Sequence, residues 1–136
     1  MSENRKPFET YAHYKVGRGF ATLAVSVDEG FARVGVSYCH PRDGIDKGYG
    51  RAVARARRDA DSTFSFDFKR TDGVKLGDQL RVEFERFVVE AGIELATINK
   101  LVADGLIEKA RVGAPPWAIH SLNREIRKRN RLLGAG

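Results

Sequence analysis

Residues 20–39 constrain the fold of this chain more than any other stretch. Residues 20–27 put Ala21, Leu23, Val25 and Val27 on one side and Thr22, Ala24 and Ser26 on the other. A period of two matches the alternating faces of a strand. Asp28-Glu29-Gly30 is a turn sequence, and residues 31–39 alternate again, with Ala32, Val34, Val36 and Tyr38 on one face. The two runs predict a β-hairpin with one apolar face. Residues 63–69 alternate a third time, setting Phe64, Phe66 and Phe68 against Ser65, Asp67 and Lys69. Together the three runs predict a small sheet packed on one side.

Between the second and third runs, residues 47–60 have helical spacing. Tyr49, Ala52, Val53, Ala56 and Ala60 define the expected buried stripe, with Lys47, Arg51, Arg55 and Arg58 on the opposite side. Residues 1–10 read as a loose tail and residues 11–19 as a loop leading into the first strand. The N-terminal lobe is thus expected to be β-β-α-β. Thr71-Asp72-Gly73 is a turn signal and the expected lobe boundary, giving lobes 1–72 and 73–136.

From about Lys75 the apolar period becomes helical. Leu80, Phe84, Phe87, Val88 and Ala91 form one stripe, and Gly92 is expected to end that helix by taking the left-handed conformation. A second helix over residues 94–103 turns Leu95, Ile98, Leu101 and Val102 inward, and Asp104-Gly105 ends it. Beyond Gly105 two readings compete. In the favoured one, residues 106–112 and 117–120 are short strands joined by Gly113-Ala114-Pro115-Pro116, and Ser121 caps a final helix over 122–132. In the other, Pro116 opens one long helix reaching Leu133. The fold class is therefore α+β.

The chain has 136 residues, 42% hydrophobic and 31% charged, which fits a globular protein of one compact domain or two small lobes. No apolar run is long enough to cross a bilayer, so no membrane partner is expected. The N-terminus has no apolar signal region, and the single cysteine, Cys39, cannot form an internal disulfide; both fit a cytoplasmic setting. The formal net charge is +6. Five basic residues and no acid fall in 47–58, and seven basic residues and one acid, Glu125, fall in 109–131. Either cluster can neutralise phosphates.

Four features of residues 84–126 carry a resemblance. They are Gly92 between two short helices, Thr97-Ile98-Asn99-Lys100-Leu101 in the second helix, the exit Asp104-Gly105-Leu106-Ile107, and the tip Gly113-Ala114-Pro115-Pro116-Trp117-Ala118-Ile119. This stretch resembles the winged helix-turn-helix domains of the excisionase and MerR-like group. The resemblance implies a duplex DNA-binding protein, a small regulator or recombination accessory of a phage or mobile element. It places Thr97, Asn99 and Lys100 in the groove, Lys109 and Arg111 on the wing, and Arg124, Arg127, Lys128 and Arg131 along the phosphate backbone. Lys47, Arg51, Arg55 and Arg58 form a possible second basic face. A recognition helix with so few base-reading groups favours a homodimer. The turn at Gly92-Ile93 is tighter than in many members of the group.

Two other functions fit the same residues. One is a phage anti-defence protein that inhibits a nucleic-acid-processing enzyme of the host by protein contact. The other is a single-strand binder stacking bases on Tyr11, Tyr14 and Phe20 beside Lys15 and Arg18. Enzymatic chemistry has little to stand on. Cys39, His40, Asp43 and Asp46 cluster after the second strand, but His13 and His120 are isolated, so no metal or other cofactor is expected. Gly44, Gly48 and Gly50 lack phosphate-loop spacing and read as a turn.

Overall fold

A computed structural model of the chain describes residues 8–40, 42, 47–103 and 114–134. Their elements are β1 (Phe8–Val16), β2 (Gly19–Asp28), β3 (Phe31–Cys39), α1 (Lys47–Asp61), β4 (Phe64–Asp67), α2 (Leu76–Ala103) and α3 (Pro116–Gly134). The fold is α+β, a four-stranded antiparallel sheet of order β1-β2-β3-β4 with three helices. Contacts divide the chain into two compact units, Met1–Glu83 and Phe84–Gly136.

The predicted hairpin is β2–β3, with Leu23 opposite Val36 and Val25 opposite Val34. Both turns of the meander are two residues long. Glu29 and Gly30 each have positive φ, as the type I′ turn requires. At Gly17-Arg18 only the glycine does, which fits type II′. Ala21, Leu23, Val25, Ala32, Val34 and Val36 are all buried, and full burial of each Leu or Val side chain is worth about 1.5–3 kcal/mol. Phe64 and Phe66 of β4 join this apolar face opposite Val34 and Ala32.

The sheet has one strand more than expected. Residues 8–16 are not a tail and loop but β1, paired with β2 along its whole length from Phe8↔Val27 to Val16↔Gly19. The first unit is therefore β-β-β-α-β. Tyr11 and Tyr14 fall on opposite faces of β1, so its alternation is masked in sequence. Tyr14 lies on the apolar face, where its hydroxyl donates to the Gly77 carbonyl at 2.6 Å and Arg81 stands 6.0 Å from its ring centroid.

Helix α1 covers the other face, over β2 and β3. It does not bury the expected stripe: Tyr49, Ala52, Ala56 and Ala60 are exposed, and the buried residues are Gly50, Ala54 and Arg58. The reason lies in the surface beneath. Thr22, Ala24 and Ser26 of β2 and Gly35 of β3 leave no holes for large side chains, so the helix backbone comes down onto the sheet. A Cβ built at Gly35 would lie 1.9 Å from the Ala54 carbonyl oxygen and 2.4 Å from the Arg58 nitrogen. One at Gly50 would lie 3.0 Å from Thr22 Oγ1.

Lys75 caps α2, its carbonyl accepting from the backbone N–H groups of Asp78 (3.1 Å) and Gln79 (3.0 Å). Asp78 adds favourable charge to the first turn. The Gln79 side chain reaches back to hold the connection: Nε2 donates to the Lys69 carbonyl, and Oε1 accepts from Thr71 N at 3.2 Å.

Gly92 does not end a helix. α2 runs unbroken from Leu76 to Ala103, and the two short helices expected about Gly92-Ile93 are one. Glycine has a packing role here. A Cβ at Gly92 would lie 2.9 Å from Ile119 Cγ2 and 3.5 Å from Asn123 Nδ2, so α3 approaches closely over this point. Residues 117–120 are likewise helical rather than a returning strand, and Ser121 lies inside α3 rather than capping it. Pro116 opens the helix, with the Pro115 carbonyl accepting from Ala118 N and Ile119 N at 3.0 and 3.1 Å. Proline suits this first position because its missing N–H would have no partner there. In the second unit α2 and α3 run antiparallel. Phe84, Val88 and Ala91 are buried on α2, and Ala118, Ile119 and Leu122 on α3. The expected exit at Asp104-Gly105, the strand over 106–112 and Gly113 lie outside the described residues.

Candidate nucleic-acid interface

α3 has two chemically different sides. Ala118, Ile119 and Leu122 are buried, and Ile126 is half-buried. The same side continues to Arg129, whose Nη2 donates to both carboxylate oxygens of Glu85, at 3.0 Å to Oε2. That hydrogen bond, working against burial, holds the Arg129 guanidinium above its ordinary pKa. Arg129 is thereby committed to holding α3 on α2.

The other side carries Arg124, Arg127, Lys128 and Arg131, spaced i, i+3, i+4, i+7, and all four are exposed. Among the described residues none of them lies within ion-pairing distance of a carboxylate. His120, exposed at i−4 from Arg124, belongs to the same face. Sequence reasoning missed it because residues 117–120 were read as a strand; proline at the helix start was the available signal. From His120 to Arg131 the face is roughly 16 Å long. Successive phosphates of one strand advance about 3.4 Å along the duplex axis and stand farther apart along the backbone itself, so the face can reach a few of them. No Phe, Tyr or Trp falls between His120 and Leu133.

The expected groove residues are arranged less favourably. Thr97, Asn99 and Lys100 are exposed near the end of α2. The Thr97 hydroxyl donates to the Ile93 carbonyl of its own helix at 3.3 Å. Thr97 shares its side of α2 with Glu90 and Glu94, both exposed, and with Ile93, 66% exposed. Two carboxylates repel phosphate, and an exposed isoleucine offers it nothing. Asn99 points to a different side, two positions along. Lys109 and Arg111 lie outside the described residues.

On the first unit, Lys47, Arg51 and Arg55 are exposed along one flank of α1. Arg58 is not part of that face. It is 4% exposed, with Nη2 2.8 Å from Glu9 Oε1 and Nε 2.9 Å from Asp59 Oδ1. Burial opposes the Arg58 charge, but Asp59 and Glu9 outweigh it and raise its pKa. The same hydrogen bond holds the Asp59 carboxyl below its ordinary pKa. Arg57 donates to the Val36 carbonyl at 2.7 Å. The stacking set does not assemble: Tyr11 lies on the α1 side of β1 and Tyr14 on the other, and Phe20 is half-buried. Cys39 is half-buried, with its thiol against the His40 carbonyl at 3.7 Å. Asp43, Gly44 and Asp46 lie outside the described residues.

His13 sits beside the α1 flank, its Nδ1 3.1 Å from Thr22 Oγ1. Burial first, then the charges of Lys47 and Arg51, lower its pKa from the ordinary 6.5. The unfolded chain therefore takes up this proton before the folded one. The contribution of neutral His13 to stability is complete above about pH 6.5 and declines as pH falls below it. Urea midpoints measured across this window should drop towards the acid side, and His13→Gln should flatten that part of the profile.

No protein-family model, curated protein or solved structure matches this chain. Among the described residues no helix is long and apolar enough to cross a membrane.

Proposed function

We propose that this chain binds duplex DNA through the phosphate backbone, using the outer face of α3 and reading little base sequence. The observation that carries this is the row Arg124, Arg127, Lys128 and Arg131, exposed on one side of a helix and free of carboxylate partners among the described residues. A straight cationic row matches a regular phosphate track. A single strand would call for several stacking aromatics, and between His120 and Leu133 there are none; Trp117, one turn earlier on the same side, is half-buried. The regulator or recombination-accessory role remains part of the proposal, and a backbone binder suits the accessory role better than site-specific repression. The winged helix-turn-helix architecture remains an expectation for residues 104–113 alone. In the described residues the helix is continuous at Gly92, and residues 117–120 are helical.

The test is fluorescence anisotropy with two duplexes of unrelated sequence, at several salt concentrations. Similar affinity for both, a steep loss with salt, and loss of binding on neutralising the α3 row are expected. Lys100→Ala should have little effect. Strong dependence on Lys100 with indifference to the α3 row would overturn the assignment to α3. Capture of an acidic protein without duplex affinity would favour the inhibitor reading instead.

A further inference from the structure

The outer edge of β1 is a row of backbone hydrogen-bonding groups that, among the described residues, pairs with no other strand. The two-residue turn makes Val16↔Gly19 the hydrogen-bonded pair that closes the β1–β2 hairpin. Bonded pairs then recur at every second residue, through Tyr14, Ala12, Thr10 and Phe8. The intervening residues Glu9, Tyr11, His13 and Lys15 must turn their backbone N–H and C=O groups away from β2. Among the described residues no strand pairs there. β1 has nine residues in unbroken register, with no proline. The other edge of the sheet is β4, with only four residues. Long regular edges invite pairing unless something blocks them.

We propose that β1 pairs antiparallel with β1 of a second copy of this chain, on a two-fold axis at Ala12, to form an eight-stranded sheet. The residue sequence selects this register. It is the one two-fold pairing in which all four outward residues of each strand find outward partners. Tyr11 then lies opposite His13 of the second copy, and Glu9 opposite Lys15 of the second copy. A lone Lys15 would protect the edge from pairing with unrelated strands. In this register it meets a carboxylate at both ends of the interface. Arg58 already holds Glu9 Oε1 at 2.8 Å and leaves the Glu9 side chain 59% exposed, so the carboxylate is presented in a fixed position. On the other face Phe8, 53% exposed, comes to lie opposite Val16 of the second copy.

The two α1 helices do not obstruct this arrangement. Each lies over β2 and β3, so at a strand spacing of about 4.8 Å their axes stand roughly 19 Å apart across the two-fold. That is wider than one helix diameter.

Sedimentation equilibrium of the full chain without DNA tests this proposal independently of the DNA-binding reading. A dimer is expected at micromolar concentration. Tyr11→Pro removes an N–H that bonds nothing among the described residues, so it should give a folded monomer. Should that variant fail to fold, Lys15→Glu serves in its place. It puts like charges opposite each other twice per dimer and should raise the dissociation constant about tenfold or more. A wild-type chain that stays monomeric, or a dimer indifferent to Tyr11→Pro or Lys15→Glu, would overturn it.

Discussion

Gly35→Ala is expected to unfold or severely loosen the first unit, although it adds one methyl group. The new carbon would sit 1.9 Å from the Ala54 carbonyl oxygen and 2.9 Å from the Arg58 Cα. Both are backbone atoms, so no rotamer change relieves the clash, and α1 must lift from β3. Overpacking a closed interior costs about 1–3 kcal/mol, more when the backbone has to move. We expect at least about 3 kcal/mol at this position. For a unit of this size that lowers the melting temperature by about 12 °C or more. Lifting α1 also disturbs Arg58, whose pairing with Glu9 depends on the same approach. Gly77→Ala is the matched control. It has nothing within 4 Å and lies in the first turn of α2, so the same methyl should be neutral or stabilise by up to about 1 kcal/mol. Thermal melts followed by circular dichroism compare the two directly. Equal effects would mean that α1 does not sit as closely on the sheet as described.

Replacing Arg124, Arg127, Lys128 and Arg131 together by glutamine should abolish most duplex binding. With about four phosphates neutralised, log affinity falls against log salt with a slope near about −3.6. Between 50 and 200 mM salt the wild-type chain should then weaken by roughly 150-fold. The glutamine variant should lose this slope and bind about 100-fold more weakly at the low-salt end. A variant with lysine at all four positions should keep most of the slope, because position and charge matter here more than guanidinium geometry. Neutralising Lys47, Arg51 and Arg55 instead should leave the slope nearly unchanged. Arg129→Gln should affect melting more than binding, because its partner is Glu85. A salt slope near zero for the wild-type chain would remove the basis for phosphate recognition.

Where the sequence could be read correctly, one local pattern decided the structure. Residues 20–39 alternate so regularly that only their pairing was left open. The α3 row was visible because i, i+3, i+4, i+7 spacing puts cations on one side of a helix whatever lies around it. Errors arose where tertiary packing decided. α1 was expected to bury its larger apolar residues, but its partner surface is Thr22, Ala24, Ser26 and Gly35, so the smallest residues went inward and Tyr49 stayed at the surface, 70% exposed. Gly92 has the look of a helix terminator, and its reason is contact with Ile119. β1 was hidden because its side chains are mixed on both faces. The Gly17-Arg18 turn after residue 16 was the one clue to it.

The close seat of α1 on β3 also gives this fold a recognisable signature. A chain built the same way needs glycine where the strand passes under the helix. Fifteen, nineteen and twenty-three positions later it needs glycine, alanine and arginine, as at Gly50, Ala54 and Arg58. An acidic residue in the first strand must answer that arginine, as Glu9 does. Surface residues, including the cations proposed to meet DNA, can change without touching this pattern. Distant relatives should therefore be sought by these five positions, since the fold constrains them whatever the chain has come to bind.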